Sequence, residues 1–355
     1  MQEFIDRMIA NGAFAGVPVE AVYALMMLLF GALVIFGFFL PIAGVTSWLE
    51  RRVWARIQSR VGPNRVGPQG FLQWLADGIK LLLKEDIVPD AADRPLFLFA
   101  PYFVVWGIVA TFVVIPFSSA LIVADMNVGI LYLTAVTALV VVGVLMAGWA
   151  SANKFALLGA LRAGAQLIAY ELPLLLAVVG VVVTAGTMSL QGIVESQQNG
   201  AIFGWDGIGN PFILTQIVGF VLFLVAAQAE LTQAPFDMPV AESELVAGYM
   251  VEYTGFRFLF FFIGEFGTAF AFAALAATLF LGGWAIPHVT DTGLANVLGP
   301  IVLLTKVMIV AFLMFWVRFT YPRLREDQLQ AVAWKYLIPI GLANILITGA
   351  LKVAF

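Results

Sequence analysis

The apolar stretch that decides the fold reads Ala163-Gly-Ala-Gln-Leu-Ile-Ala-Tyr-Glu171-Leu-Pro-Leu-Leu-Leu-Ala-Val-Val-Gly-Val-Val-Val-Thr-Ala-Gly186. Roughly 20 apolar residues cross the hydrocarbon core of a bilayer as a helix, and this stretch is long enough to do so. It carries one carboxylate, Glu171, whose burial in a membrane costs about 3 kcal/mol on insertion scales. Such an acid usually faces a protein interior or a water-filled cavity, so Glu171 is a candidate functional residue.

The composition is typical of a polytopic membrane protein. Of the 355 residues, 62% are hydrophobic and only 11% are charged, whereas about a quarter of the residues in a soluble domain are charged. The chain has no Cys and one His, His288. This excludes disulfides and Cys-ligated iron–sulfur clusters within the chain, and we expect no metal site in it. The net charge of −4 argues against nucleic-acid binding.

Apolar runs of similar length recur along the whole sequence. We predict an all-α integral membrane protein, a single polytopic domain of residues 1–355 that forms a bundle of about eight transmembrane helices. The predicted spans are about 21–46, 97–117, 128–150, 163–186, 211–233, 259–281, 299–321 and 336–354.

The positions of Lys and Arg predict the orientation of this bundle. Most of the 18 basic residues fall in the connections that follow the odd-numbered spans. The opposite side has only Arg7 and Lys352, while Lys306 lies inside the seventh span. Because basic loops stay in the cytoplasm, loops 47–96 and 234–258 are predicted to be cytoplasmic, or on the equivalent negative side of an organelle membrane.

The first long loop combines arginines with rigid turns. It opens with Glu50-Arg-Arg-Val-Trp-Ala-Arg-Ile-Gln58 and continues with two Arg-Val-Gly-Pro repeats at 60–63 and 65–68, in which Gly and Pro favour turns. Either the arginines anchor lipid headgroups, or they form a rigid surface that docks a partner or a polar ligand headgroup. The pattern over 69–85 then predicts an amphipathic helix at the membrane surface, which could roof a cavity of the bundle.

The second long loop is acidic. Pro235 and Pro239 end the preceding helix, and four acids follow within a short stretch. These acids are Asp237, Glu242, Glu244 and Glu252. The simple interpretation is a solvated acidic loop, but apolar residues such as Phe236 and Tyr249 lie among the acids and favour a partly buried, functional loop.

The loop acids and the acids of the spans together indicate a proton path. Counted from the basic ends of their spans, Glu171 and Glu265 lie roughly 12–13 Å into the membrane, and Glu230 lies just before the proline break. Neighbouring carboxylates in a medium of low dielectric hold protons near neutral pH, as a proton relay requires. A single buried Glu would instead be structural. Lys306 is either the inner cationic end of the path or the structural partner of a buried Glu.

Three motifs resemble those of one family. The motif Glu50-Arg-Arg-Val-Trp-Ala-Arg-Ile-Gln-Ser-Arg-Val-Gly-Pro-Asn-Arg-Val-Gly-Pro68 is similar to the first-loop signature of the quinone-site membrane subunit of the proton-pumping NADH:quinone oxidoreductase, respiratory complex I. The second is Ala229-Glu-Leu-Thr-Gln-Ala-Pro-Phe-Asp-Met-Pro239 with Ala241-Glu-Ser-Glu-Leu-Val-Ala-Gly-Tyr249 and Glu252-Tyr253. The third is Trp316-Val-Arg-Phe-Thr-Tyr-Pro-Arg323 with Asp327-Gln-Leu329. The likeness extends through all eight predicted spans.

The resemblance implies a subunit that forms much of the chamber through which quinone reaches an iron–sulfur cluster of a neighbouring subunit, and that joins the redox arm to the proton-pumping arm. The acids that match the family's proton path are Glu171, Glu230, Asp237, Glu242, Glu244 and Glu252, and the depth and charge of Glu265 and Lys306 add these two residues. The residues expected at the quinone chamber or a docking surface are Arg51, Arg52, Arg56, Arg60, Arg65, Phe236 and Arg318.

The same resemblance implies the chemistry around the chain. The chain itself would bind no cofactor, quinone would be the substrate, and FMN and iron–sulfur clusters would belong to partner subunits. Loops 47–96 and 234–258 would contact the quinone-site and iron–sulfur subunits, with antiporter-like subunits and lipids to the side. The expected location is a bacterial inner membrane or, alternatively, the mitochondrial inner membrane.

Two other functions are open to the sequence. The homologous membrane subunit of an ion-translocating hydrogenase-type complex would share the spans and the acids, although the detailed loop motifs favour the quinone enzyme. A stand-alone proton-coupled transporter would be expected to show repeat symmetry or helices broken at the midplane, and we find neither in the sequence.

Overall fold

The computed structural model describes residue 21 and residues 35–200, 209–286 and 292–354. These residues form helices and connecting turns, with no β-strand among them. The longer helices are α1 (Leu40–Ile57, preceded by a π-helical turn at Ile35–Phe39), α2 (Gln73–Leu83), α3 (Arg94–Thr111), α4 (Gly129–Ala150), α5 (Lys154–Ala185), α6 (Leu190–Asn199), α7 (Ile217–Glu230), α8 (Gly255–Phe280), α9 (Thr292–Thr320), α10 (Glu326–Ala331) and α11 (Ile338–Ala354, joined to α10 by a π-helical segment, Val332–Leu337). Single helical turns occur at Pro68–Gly70, Glu242–Leu245 and Gly248–Met250.

Six helices of the described part are long and apolar enough to cross a membrane. They are α3, α4, α5, α8, most of α9, and the bent helix Glu326–Ala354, while α7 is apolar but shorter. The prediction of an all-α membrane protein is therefore confirmed. Of the first predicted span, residues 22–34 lie outside the described residues, as do Arg7 and His288. The helix that continues from this span reaches Ile57, so the first part of the segment predicted as loop 47–96 is helical.

Helices α5 and α8 organise the packing. Helix α5 contacts α4, α7 and α11, and α8 contacts α1, α3 and α9. The Asn153 side chain caps α5 by accepting a hydrogen bond from the backbone N–H of Phe155 at 2.8 Å. At its other end α5 stops at Gly186, which has a φ of 78° that favours glycine. Glu171 consequently lies near the middle of a 32-residue helix.

The proline-containing segment after α7 turns back into the protein. Helix α7 ends at Glu230, and the backbone N–H of Leu324 donates to the carbonyl oxygen of Pro235 at 3.0 Å, which ties the segment to the exit of α9. The chain then passes Gly248, where a Cβ would overlap the Pro239 carbonyl oxygen. This close approach packs the acidic loop onto itself, so the loop is a folded part of the protein.

Helix α2 is the amphipathic helix that the sequence predicts within 69–85. None of its residues is buried, but Trp74 lies over α1, where a Cβ on Gly44 would overlap the indole ring. An ion pair between Arg51 and Asp77, with an N–O distance of 2.6 Å, joins the same two helices. Helix α2 therefore lies against α1 and leaves much of its apolar surface exposed.

Close packing of α4 on α5 gives a first test of the fold. A Cβ on Gly148 would overlap Ala160 Cβ and lie 2.6 Å from the Ala156 carbonyl oxygen. We expect Gly148→Val to destabilise the protein by about 1–3 kcal/mol, because the two helices have to move apart. Fluorescence-detected size exclusion of the detergent-solubilised protein after heating measures this as a lower midpoint temperature.

Gly349→Val is the matched control for this substitution. Gly349 also lies inside a helix, but a Cβ there would meet no atom within 4 Å. A Gly148→Val protein that is as heat-resistant as the Gly349→Val protein would show that α4 and α5 do not pack as described.

Candidate functional site

Arg318 lies between two carboxylates contributed by other helices. Its Nη1 atom is 2.5 Å from Glu50 Oε1 on α1 and 3.1 Å from Glu265 Oε1 on α8. The side chain of Gln233 donates a second hydrogen bond to the same Glu265 oxygen at 2.9 Å. We call Arg318, Glu50, Glu265 and Gln233 the Arg318 cluster. It joins α1, α8, α9 and the segment after α7 through charged hydrogen bonds, which are stronger than neutral ones.

The sequence did not single out two members of this cluster as site residues, Gln233 and the charged residue Glu50. Glu50 is only 7% exposed, although it stands in an arginine-rich motif. The signal that identifies it is helical periodicity, because the buried positions of α1 include Ala43, Ser47, Glu50 and Val53. The sequence predicts residues 47–57 as part of a loop. A spacing of three to four residues places side chains on one face only in a helix, so this prediction concealed the pattern.

A cavity of about 70 Å³ lies among α3, α4, α5, α7 and α8. Its polar lining is formed by Glu230, Thr232, Tyr249 and Glu265, and the other lining residues are mainly apolar. Glu171 lies on α5 and is not among the lining residues. The structure thus places Glu230 and Glu265 on one cavity, and Glu265 also belongs to the Arg318 cluster.

Asp237 is the loop acid that comes nearest to this group. It is half-buried, and burial raises the pKa of its carboxyl to about 6, against the opposing charges of Arg318 and Arg323. Burial also raises the pKa of the Tyr249 hydroxyl, with smaller contributions from Glu265 and Asp237. Asp237 therefore keeps its proton to a higher pH than an exposed aspartate does.

The remaining loop acids have structural partners or face solvent. Glu244 is exposed and accepts hydrogen bonds from Arg162 at 2.6 Å and from Arg323 at 3.0 Å. These bonds hold the pKa of Glu244 below its usual value. Glu252 accepts a hydrogen bond from the Asn153 side chain at 2.6 Å, and Glu242 is exposed. The acids predicted as one path thus have different surroundings.

Lys306 lies far from these acids. Its ammonium group donates to the carbonyl oxygens of Gly283 at 2.7 Å and Ala285 at 3.4 Å, just beyond the end of α8. Along α9 it is twelve residues from Arg318, or about 18 Å. Among the described residues no carboxylate forms an ion pair with Lys306, so the interpretation of Lys306 as the partner of a buried Glu does not hold there.

The arginines of the first loop divide into bound and exposed residues. Arg51 pairs with Asp77, Arg52 donates to the Gln69 carbonyl oxygen, and Arg60 donates to the Gln58 side chain. Arg60 is exposed despite its hydrogen bond, as are Arg56 and Arg65. Bound arginines stiffen the loop, so of the two interpretations its geometry fits the rigid surface.

Stacking and a close backbone approach complete this rigid loop. Trp54 stacks on Phe319 with a centroid distance of 5.2 Å, and the guanidinium of Arg60 lies over the Trp54 ring at 5.1 Å. A Cβ on Gly70 would overlap the Pro63 carbonyl group. The first Gly-Pro repeat is therefore folded back on the end of α1 and against Gly70, while Trp54 of α1 makes the contact with the exit of α9.

A larger groove opens between α1, α2 and the first half of α8. Its volume is about 410 Å³, and its lining is mainly apolar, with Trp74, Phe258, Phe262 and Phe266 among the lining residues. Polar groups are contributed by Ser47 and by the Arg51–Asp77 ion pair. We call this space the α1–α2–α8 groove. Phe236 does not line it, because that ring is buried, 5% exposed, against Tyr170.

The Arg318 cluster shares Glu265 with the cavity and shares two helices with the groove. On α1, the groove-lining residues Ser47 and Arg51 stand on either side of Glu50 in the sequence. On α8, Phe262 and Phe266 line the groove, whereas Glu265 lines the cavity. The cluster thus connects helices that line two different spaces, a wide apolar groove and a small, mainly apolar cavity with Glu230 and Glu265 in its wall.

Comparison with known proteins identifies the family. The family model described as NADH dehydrogenase matches residues 30–349. The chain belongs to this family. It is 48% identical over 338 residues to an NADH-quinone oxidoreductase subunit of Anaeromyxobacter dehalogenans (strain 2CP-C), covering 90% of this chain and 79% of that protein. It is 47% identical to the subunit of the same name from Brevibacillus brevis, covering 85% and 86% of the two chains. The family resemblance of the three motifs is confirmed.

Arg318 provides a test of the cluster. We expect Arg318→Met to destabilise the assembled protein by about 3 kcal/mol, because it leaves two carboxylates without their cation. Stepwise heating of the purified complex, followed by native electrophoresis, measures the temperature at which this subunit is lost.

The control is Arg325→Met, which removes an exposed ion pair with Asp327. Both charges of this pair are in water, which screens their attraction, so this variant should behave as the wild type. If Arg318→Met and Arg325→Met proteins resist heat equally well, the Arg318 cluster does not hold the helices together.

Proposed function

We propose that this chain is the membrane subunit of a proton-translocating NADH:quinone oxidoreductase, in which the α1–α2–α8 groove admits quinone and the cavity acids carry protons. The observation that supports this most directly is that α1 and α8 each carry groove-lining residues and an acid of the Arg318 cluster, and that the α8 acid, Glu265, also lines the cavity. The names of the bacterial relatives support the reaction, since all three of the first relatives are named as subunits of NADH-quinone oxidoreductase.

The groove has the properties that a quinone requires. Ligand sites of about 300–1,000 Å³ with mostly apolar walls and a few polar groups are typical for molecules of this size. The aromatic wall of α8 suits an isoprenoid tail, and Ser47 with the Arg51–Asp77 pair suits the carbonyl oxygens of a headgroup. The exposed apolar residues of α2, such as Leu82 and Leu83, support an entrance at the membrane surface.

Proton chemistry links the two spaces in this proposal. Reduction of a quinone to a quinol takes up two electrons and two protons, so negative charge develops on the headgroup before the protons arrive. The electrons would come from FMN and iron–sulfur clusters of partner subunits. Charge near the groove acts on the Arg318 cluster, and Glu265 passes the effect to Glu230 and Glu171 through the cavity. Asp237 is the loop acid placed to deliver protons to this group.

Ion pairs between loops support the proposed sidedness. Arg257 pairs with Asp86 at 2.6 Å, and Arg162 pairs with Glu244 and with Glu326 at 2.6 and 3.6 Å. The loops rich in Lys and Arg therefore meet at one end of the bundle. We assign that end to the cytoplasmic side of a bacterial inner membrane and propose that its loops contact the quinone-site and iron–sulfur subunits.

Glu230→Gln tests the proton path. We expect this variant to lower NADH-driven proton translocation, because an amide cannot take up and release the proton. The loss should be roughly 10²-fold, which is the usual effect of removing a positioned acid–base group. Proton uptake into inverted membrane vesicles measures the effect, while NADH oxidation by ferricyanide reports assembly.

Glu195→Gln is the control for the proton path. Glu195 is an exposed acid on α6 that accepts a hydrogen bond from Gln191, and its substitution should leave proton translocation unchanged. Normal translocation by an assembled Glu230→Gln complex would exclude Glu230 from the path.

Leu259→Trp tests the quinone entrance. Leu259 lines the groove, and a larger side chain should narrow it. We expect KM for a long-tailed quinone to rise by roughly tenfold, because the loss of one or more hydrophobic contacts weakens binding by about this factor. The rate of ferricyanide reduction should be unchanged.

The matched control is Leu346→Trp, at a position that is 74% exposed on α11, and we expect KM there to stay at the wild-type value. An unchanged KM in the Leu259→Trp complex would mean that quinone does not pass through the groove.

A further inference from the structure

Three buried glutamines surround the turn that follows α7. Gln166, Gln228 and Gln233 are 0%, 3% and 1% exposed. Gln166 lies on α5, more than one turn before Glu171, and the other two stand on either side of Glu230 in the sequence. Buried amides are uncommon in apolar surroundings unless they form hydrogen bonds, so each requires an explanation.

The amide nitrogens of these glutamines hold the turn. Gln166 Nε2 donates to the carbonyl oxygens of Ala229 and Phe236 at 2.7 and 2.8 Å. Gln228 Nε2 donates to the Ala234 carbonyl oxygen at 3.0 Å, and Gln233 Nε2 donates to Glu265 at 2.9 Å. All these acceptors are oxygens. The nitrogen of each amide must therefore face its acceptor, which fixes the direction of the amide oxygen.

The amide oxygens, in contrast, are left without donors. Within the described part of the chain, Oε1 of Gln166, Gln228 and Gln233 is buried and accepts no hydrogen bond, and the same is true of Glu230 Oε1. A buried acceptor without a donor loses its hydrogen bonds to water and gains none from the protein, which costs free energy. A proton on Glu230 would supply one donor at most, which is too few for three amide oxygens. Donors from outside the chain are needed.

The adjoining cavity has room for such donors. It has a volume of about 70 Å³, and a water molecule occupies about 30 Å³ in the liquid. Glu230, Thr232, Tyr249 and Glu265 provide polar lining, and Ala163 and Leu167, which lie on either side of Gln166 in α5, line it as well. A buried water typically has two to four polar partners, and this lining supplies them.

We infer that Gln166, Gln228 and Gln233 are positioning residues that bind ordered water between Glu230 and Glu265. Each amide uses its nitrogen to fix the turn and its oxygen to accept a hydrogen bond from water. The O–H groups of the bound water point toward fixed acceptors, so the water has one preferred orientation. This inference rests on the proposed function for its role in proton transfer, but the water site itself does not depend on that role.

The first experiment is an electron cryomicroscopy map of the intact complex, at a resolution that shows buried water elsewhere in the membrane arm. We expect density within hydrogen-bonding distance of the amide oxygens of Gln228 and Gln233. A map with buried water elsewhere and none at these oxygens would overturn the inference.

The second experiment uses infrared difference spectroscopy of the same complex during quinone reduction. Water O–H bands are identified by their shift in water labelled with heavy oxygen. We expect Gln228→Met and Gln233→Met to remove a water band that the wild type shows. Unchanged water bands in both assembled variants would count against the site.

Gln330→Met is the matched control. Gln330 also donates to a backbone carbonyl of α5, that of Ala165 at 3.3 Å, but its oxygen is not among the buried atoms that lack a donor. We expect the water bands and the turnover of the Gln330→Met complex to equal those of the wild type. The Gln233→Met variant, in contrast, should lower proton translocation by roughly tenfold, which is the effect of one lost hydrogen bond.

The two proposals fail in different ways. Water density at the glutamines, together with normal proton translocation by the Glu230→Gln complex, would retain the water site and exclude the proton path. Loss of translocation in the Glu230→Gln complex, with no density at the glutamines, would retain the path and exclude the water site.

Discussion

The pairing of one arginine with two acids in the apolar interior is the interaction on which the arrangement of the site depends. A guanidinium cannot lose its proton in a protein, so Arg318 must keep negatively charged partners when it is removed from water. Glu50 and Glu265 supply them from α1 and α8. To meet this requirement, α1 and the seventh predicted span pack against α8 at Glu265, which also lines the cavity. The same packing of α1 on α8 forms two walls of the apolar groove.

The acids around this point have different functions in the structure, although they look alike in the sequence. Glu244 is held ionised between Arg162 and Arg323, and Glu252 holds the residue that caps α5. We interpret both mainly as structural acids at the end of the bundle where the basic loops lie. Asp237, with a pKa raised to about 6 by burial, has the properties of a group that exchanges protons. The proposed proton path is therefore narrower than the acidic loop as a whole.

The break after α7 shows how backbone and side chains cooperate. Helix α7 ends at Glu230, just before Thr232, whose φ is 52°, and the prolines prevent the chain from resuming the helix. The Ala229 carbonyl oxygen accepts the Thr232 N–H at 3.0 Å, and the Gln166 side chain supplies it with a second donor and supplies another to the following segment. The same amides then leave oxygens for water, so the structural solution to a broken helix also creates a polar site beside Glu230.

Much of this protein is determined by the sequence alone. The membrane helices, the amphipathic helix, the break after α7 and the family follow from local patterns, since hydrophobicity, proline and long motifs act within a short stretch of chain. The sequence also identified Glu230 and Glu265 as acids in apolar surroundings. It could not decide which acid meets which cation, because Glu50 and Arg318 are far apart in the chain and meet only when α1, α8 and α9 pack. For the same reason the sequence did not show that Glu50 is buried, that Lys306 donates to backbone carbonyl oxygens, or that Phe236 packs on Tyr170. Partners in a low-dielectric interior are determined by tertiary packing and not by sequence distance.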